Sequence, residues 1–162
     1  MPHSKVYPYL MAWFETNKRR DFPFRYQIGP GTSWALLKKQ EYSMKLSFTV
    51  TYEQTFFNDS AYIESTYNGS DEINLFRGTG RLYGQHHFLK DRLRLRYEIW
   101  GQFAFENAKN YRFHGDIFLE MPLTKLISFR AGYNYNYESI TLTTVKQMDT
   151  FLVFGLSITN YK

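Results

Sequence analysis

From Tyr42 to Glu53 the chain alternates strictly. Tyr42, Met44, Leu46, Phe48, Val50 and Tyr52 take one set of positions, and Ser43, Lys45, Ser47, Thr49, Thr51 and Glu53 the other. Successive side chains of a β-strand point to opposite faces, so this segment predicts a strand with one greasy and one polar face. The pattern recurs. Leu93, Leu95, Tyr97, Ile99 and Phe103 oppose Arg92, Arg94, Arg96, Glu98 and Gln102. Tyr111, Phe113, Ile117, Leu119 and Met121 oppose Arg112, His114, Asp116 and Glu120. Ile127, Phe129, Ala131, Tyr133, Tyr135 and Tyr137 oppose Ser128, Arg130, Asn134, Asn136 and Glu138. Near the start, Phe24, Tyr26, Ile28, Trp34 and Leu36 oppose Arg25, Gln27, Gly29, Gly31 and Ser33.

Three further segments are less regular. Residues Val6 to Thr16 are nearly apolar on both faces, and Thr150 to Tyr161 set Leu152, Phe154, Leu156 and Ile158 against smaller residues. Ile73 to Phe88 contain Gly78, Gly80 and Gly84, which predict bends or close backbone approach. Pro30 cannot donate to a ladder and predicts a bulge or an edge.

The connections alternate too. Lys38–Glu41, Leu89–Asp91 and Pro122–Lys125 are short, whereas Asn17–Pro23, Phe57–Glu72, Phe105–Asn110 and Ser139–Gln147 are longer. An up-and-down meander puts alternate connections at opposite ends, so one end gathers tight turns and the other long loops. Outer-membrane barrels have that asymmetry. The expected fold is one all-β domain over residues 1–162: an antiparallel up-and-down β-barrel of about eight strands, transmembrane in type.

Orientation decides between two such barrels. Soluble carriers turn their apolar side chains inward, and membrane barrels turn them outward. An eight-stranded interior is narrow, and roughly twenty large aromatics would not fit inside it. The other face carries both signs of charge. Arg25, Lys45, Glu53, Arg94, Arg96, Glu98, Arg112, His114, Asp116, Glu120, Arg130 and Glu138 are therefore expected as a lumenal network of paired charges. Tyr7 and Trp13, Tyr26 and Trp34, Tyr42 and Tyr52, and Tyr133 to Tyr137 are candidates for interfacial girdles.

Composition agrees where it speaks. Aromatics are 20% of the 162 residues, and cysteine is absent, which removes disulfides and thiolate metal sites. A net charge of +5 is spread over many segments, and no RNA-binding aromatic motif is present, so nucleic acid is not an expected partner. No apolar run approaches the ~18 residues of a spanning helix. Met1-Pro2-His3-Ser4-Lys5 leads directly into alternation, without the apolar stretch of an export signal. The expectation is either a mature or shortened form of an exported chain, or a chain that is not exported.

Catalytic and metal candidates are thin. His86 and His87 are neighbours on a strand and face opposite ways. Ser139 and Ser157 lack a motif placing a histidine beside them. The loop acids Asp59, Glu64, Asp71 and Glu72 read as a solvated loop ahead of a divalent-cation site. Arg92, Arg94 and Arg96 suit an anion, but pairing with neighbouring carboxylates is the plainer account.

The stretch MPLTKLISFRAGYNYNYESITLTTVKQMDTFLVFGLSITNYK resembles the carboxyl end of the salt-induced outer-membrane proteins, the domain of unknown function 481. The matching residues are Pro122, Leu123, Thr124, Gly132, Tyr133, Tyr137, Ser139, Lys146, Asp149, Thr150, Gly155 and Leu156. Upstream, Phe22, Arg25, Tyr26, Gly29 and Gly31 fit that family's pattern as well. The resemblance implies a bacterial outer-membrane barrel without assigned chemistry. Family members usually carry an export signal and further strands before this region. That would make the chain the carboxyl-terminal part of a larger barrel. The ending Asn160-Tyr161-Lys162 departs from the family's terminal aromatic.

The function expected is a non-enzymatic, structural or envelope-related outer-membrane protein, in contact with outer-membrane lipid and without a cofactor; the sequence leaves its oligomeric state open, with a monomer favoured. The alternatives are a soluble or periplasmic barrel binding an apolar ligand, a narrow pore if more strands precede the chain, and a small lipid-modifying membrane enzyme.

Overall fold

Every alternating segment forms a strand. The computed structural model describes residues 5–39, 41–90, 92–124 and 126–158. Within them run β1 (Val6–Asn17), β2 (Phe22–Lys38), β3 (Tyr42–Phe56), β4 (Glu72–Phe88), β5 (Leu93–Ala104), β6 (Tyr111–Pro122), β7 (Ile127–Glu138) and β8 (Met148–Ile158), with a single 3₁₀ turn at Ser65–Tyr67. Sequence-derived bounds differ from these mostly by one or two residues. Asp91, Lys125, the amino-terminal Met1–Ser4 and the Asn160-Tyr161-Lys162 ending lie outside the described residues. No helix among the described residues is long and apolar enough to cross a membrane.

The strands form one antiparallel sheet in chain order, β1 to β8, each paired with its sequence neighbours. The sheet coils strongly, because side chains of β2 reach β7 and those of β3 reach β6. Arg25 meets Glu138 at 3.1 Å, and Arg112 meets Glu53 at 2.7 Å. The expected closure is corrected here. Among the described residues no ladder joins β1 to β8, so the sheet is open along that seam. Both outer strands behave as edges. Pro8 on β1 lacks an N–H, as suits an edge strand. β8 is exposed on both faces for nearly its whole length.

The two faces are sorted as the alternation requires. Phe48, Ile99, Phe113 and Leu156 point outward and are exposed, whereas Thr49, Thr51, Glu53 and Thr55 are buried on the inner side. Residues directly opposite in a ladder share a face. Two girdle candidates are thereby corrected: Tyr7 lies opposite buried Ser33, and Trp13 opposite buried Gln27, so both face inward.

Among the described residues, the buried apolar side chains gather at one end. Phe22, Phe57, Tyr62, Ile73, Leu75, Ala104, Ile140 and Leu142 form a cap where the long connections meet. The β3–β4 and β7–β8 loops hold each other there. Ile63 N–H donates to Thr141 O at 3.0 Å, and Thr143 N–H to Ala61 O at 2.9 Å. The loop asymmetry is partly corrected as well: β1 and β2 extend until only residues 18–21 join them, no longer than the turns at the other end.

Glycines on the outer face make room for rings. A Cβ on Gly78 would lie 2.9 Å from the Phe103 ring and 3.1 Å from that of Phe105. At Pro30 neither the bulge nor the edge expected there is found: β2 lies between β1 and β3, and its register to β3 shifts between Ala35 and Leu37. At Pro30 the register to β3 is unshifted, and Gly29 beside it lets the Val50 carbonyl approach to 2.0 Å from where a Cβ would stand.

Candidate functional site

The coiled sheet folds its polar faces together, and the inner groups fall into three levels from the capped end to the open rim. Cross-strand register creates the first. Gln27 lies opposite Glu53, and Arg112 opposite both Gln102 and Glu138. Glu53, fully buried, accepts from Arg112 Nη1 at 2.7 Å and Nη2 at 2.8 Å, Arg77 Nε at 3.0 Å and Gln27 Nε2 at 2.7 Å. Glu138 accepts a two-pronged pair from Arg25 at 3.1 Å each and stands 3.4 Å from Arg112 Nε. Arg77 also donates to Asn110 Oδ1 at 2.8 Å, and Arg25 lies over the Phe22 ring at 4.0 Å. Bidentate guanidinium–carboxylate pairs fix geometry as well as charge. Beside this cluster Arg19 and Arg20 reach Asp149 of β8 at 2.9 and 3.5 Å, around a cavity of about 260 Å³.

The middle level is hollow. A cavity of about 710 Å³ is bounded by Trp13 and Glu15 of β1, Gln27, Arg81, Glu98, Trp100, Gln102, His114, Asp116 and Asn136. The His114 ring contacts Asp116 Oδ2 at 3.1 Å and Asn136 Oδ1 at 2.6 Å, and stacks on Trp100 with centroids 5.0 Å apart. Asn134 donates to the other Asp116 oxygen. Arg81 pairs with Glu98 at 2.6 Å.

At the rim the network loosens. Arg94 stands 3.6 Å from Glu120, and Arg130 lies 3.9 Å above the Phe118 ring, which covers Gly132. Lys45 and Arg96 are exposed there, with Lys45 5.7 Å from the Tyr83 ring. The twelve expected lumenal residues thus all lie on the inner face, but in three groups. Arg25, Glu53, Arg112 and Glu138 are brought together; Glu98, His114 and Asp116 line the cavity; Lys45, Arg94, Arg96, Glu120 and Arg130 ring the opening.

Several members escaped sequence reasoning. Arg77 and Arg81 alternate with Gly78 and Gly80, so their inward phase was present but masked by the small outer residues. Arg20, Asn110 and Asp149 come from loops or strand ends, where no periodicity marks them.

The remaining candidates are placed as follows. His86 meets the Tyr97 hydroxyl at 3.1 Å, and His87 meets Gln85 at 2.9 Å, on opposite faces of β4. Ser139 accepts from Tyr111 N–H at 2.8 Å and donates to Lys109 O at 2.6 Å, a loop-anchoring role. Glu64 is held below the usual carboxylate range, first by the Thr66 hydroxyl and then by Lys109. Burial, aided by Asp71 and Asp59, pushes the Tyr62 phenol up to about 12.

The chain belongs to the family described as a protein of unknown function, DUF481, which matches residues 2–159. No curated protein and no solved structure matches it.

Proposed function

We propose that this DUF481 protein is a bacterial outer-membrane β-barrel with a structural or envelope-related, non-enzymatic role, and that the eight-stranded sheet is its wall. One observation carries the reading: the inversion of the faces. Leu10 is 74% exposed and Leu156 69%, while Glu53 and Arg77 are at 0%. Each large apolar side chain left in water forgoes about 1.5–3 kcal/mol, and lipid restores that without a protein partner. A soluble carrier of apolar ligands would need the opposite sorting.

Dimensions fit. A strand of 12 residues, such as β5, is roughly 40 Å long at ~3.3 Å per residue. Tilted by ~40°, it projects to roughly 30 Å, enough for the ~25 Å apolar band of such barrels. The apolar cap and the ion cluster beneath it fill one end of the lumen, so little ion flow is expected.

The test is reconstitution. The purified chain should require detergent, enter liposomes, resist alkaline carbonate extraction and show no stepwise conductance. A monodisperse monomer in detergent-free buffer refutes the membrane reading. Discrete conductance steps would favour the narrow-pore alternative, with further strands widening the wall at the β1–β8 seam.

A further inference from the structure

We infer that the mid-lumen cavity is a binding site for an organic ammonium ion that carries N–H donors. Its volume, about 710 Å³, falls within the usual range of small-molecule sites, ~300–1,000 Å³. Three features select the ligand. Asp116 presents a carboxylate whose partners are the His114 ring and the Asn134 amide; among the described residues no arginine or lysine pairs with it. The arginine that lines the cavity, Arg81, is neutralised by Glu98. Two indoles face the same space: Trp13, 55% exposed although it points inward, and Trp100. Indole faces attract cations, most strongly where water is excluded.

The third feature is an acceptor without a donor. Gln102 is more than nine-tenths buried, and its Nε2 is engaged by Thr79 at 3.0 Å and Gln27 at 3.3 Å, yet among the described residues its Oε1 has no partner. A buried acceptor left unpaired is destabilising, and a ligand N–H would satisfy it. Anions are disfavoured because the lining arginine, Arg81, is already paired with Glu98, Glu15 stands 3.8 Å from Arg25, and Asp116 has no arginine or lysine partner among the described residues. Neutral ligands would leave Asp116 uncompensated.

Trp13, Trp34 and Trp100 are the chain's tryptophans, and Trp34 packs on Phe48 on the outer face, with ring centroids 5.8 Å apart. A Trp34→Phe background therefore leaves fluorescence that reports on the cavity. In nonionic detergent, spermidine should change that emission saturably, and Asp116→Asn should weaken its binding at least tenfold. Gln102→Leu should lower spermidine to the affinity of tetramethylammonium, which has no N–H. Maltose and inorganic phosphate should bind more weakly than either. Circular dichroism confirms folding of each variant, and Gln102→Leu carries the test if Asp116→Asn does not fold. The inference is overturned by a spermidine response that is absent, non-saturable or indifferent to the variants, or by tighter binding of maltose or phosphate. The binding assay is run in detergent and needs no bilayer, so this experiment and the bilayer experiment fail separately.

Discussion

Replacing Glu53 by Gln tests whether the buried ion cluster holds the sheet in its coiled form. Glu53 is fully enclosed and receives Arg77, both terminal nitrogens of Arg112, and Gln27. Gln keeps the volume but removes the charge and aims an amide N–H₂ at a guanidinium. Arg112 would retain Glu138 at 3.4 Å, but Arg77 would keep only the neutral Asn110. Removing one partner of a buried pair costs about 3–5 kcal/mol, chiefly because the other charge is left uncompensated in a poorly polarisable interior. Glu98→Gln is the control: it breaks the Arg81 pair, whose side chains are 43% and 31% exposed, and screening there limits the loss to about 1 kcal/mol. Urea unfolding of the detergent- or lipid-bound protein, followed by tryptophan fluorescence, reads both as midpoint shifts at constant slope. Adding Arg77→Met to Glu53→Gln should recover part of the loss, since it removes the stranded charge. A Glu53→Gln protein within 1 kcal/mol of the parent, or a Glu98→Gln protein equally damaged, would refute the reasoning.

Three further outcomes are expected from the same unfolding assay. Tyr62 is 2% exposed, with a hydroxyl that has no partner among the described residues, so Tyr62→Phe should be neutral or stabilising by about 1 kcal/mol near neutral pH. Its folded phenol is raised to about 12; stability is therefore intact below the ordinary phenol range and falls as pH climbs from ~10, when only the unfolded chain ionises. The Phe variant should lose that alkaline slope, and an unchanged slope would disprove the assignment. Gly29→Ala should cost about 3 kcal/mol or fail to fold, because the obstructing atom is the Val50 backbone carbonyl, whereas Gly155→Ala, with open space around it, should stay within about 0.5 kcal/mol. Leu89 and Lys90 adopt left-handed φ of 53° and 56° in the β4–β5 turn, so Leu89→Asn with Lys90→Gly should stabilise by about 1 kcal/mol. Destabilisation by that pair would mean the turn side chains contribute contacts that outweigh the relieved strain.

The strands were legible because alternation is a two-state signal, repeated in five segments with few breaks, such as Pro30 and Thr32 in β2, Trp100 and Gly101 in β5, and Gly115 and Phe118 in β6, and each polar phase carried long charged side chains. β4 was harder. With Gly78, Gly80 and Gly84 on the outer face, hydrophobicity there drops away, and the inward phase of Arg77 and Arg81 is visible only once the register to β3 is known. Trp13 illustrates the converse. Both phases of β1 are apolar, so nothing in the sequence indicates which one turns inward, and an aromatic near a strand end resembles a girdle residue. The cap was illegible for another reason. Phe57, Tyr62, Ile140 and Leu142 lie in loops that read as solvent-exposed, and their burial depends on two loops about eighty residues apart pairing through Ile63 and Thr141. Short-range pattern carries no information about such a meeting.

The open seam bears directly on the membrane reading. An edge strand leaves alternate N–H and C=O groups without partners, and in lipid each such group costs several kcal/mol. β1 and β8, of 12 and 11 residues, would leave two rows of them facing hydrocarbon. That sum exceeds the whole stability of an ordinary domain, about 5–15 kcal/mol, so an open sheet cannot be the bilayer-resident form. The edges already approach at the capped end, where Arg19 and Arg20 of the β1–β2 turn grip Asp149 of β8. Along the remainder, Trp13 and Phe151 show apolar rings on the inner side of each edge, unlike the polar residues that line β3. Completion of the wall, whether by a β1–β8 ladder or by intervening strands, would enclose those rings and satisfy both rows of backbone groups together. Residence in the bilayer and closure of the seam are therefore a single physical claim, and evidence for the first carries the second with it.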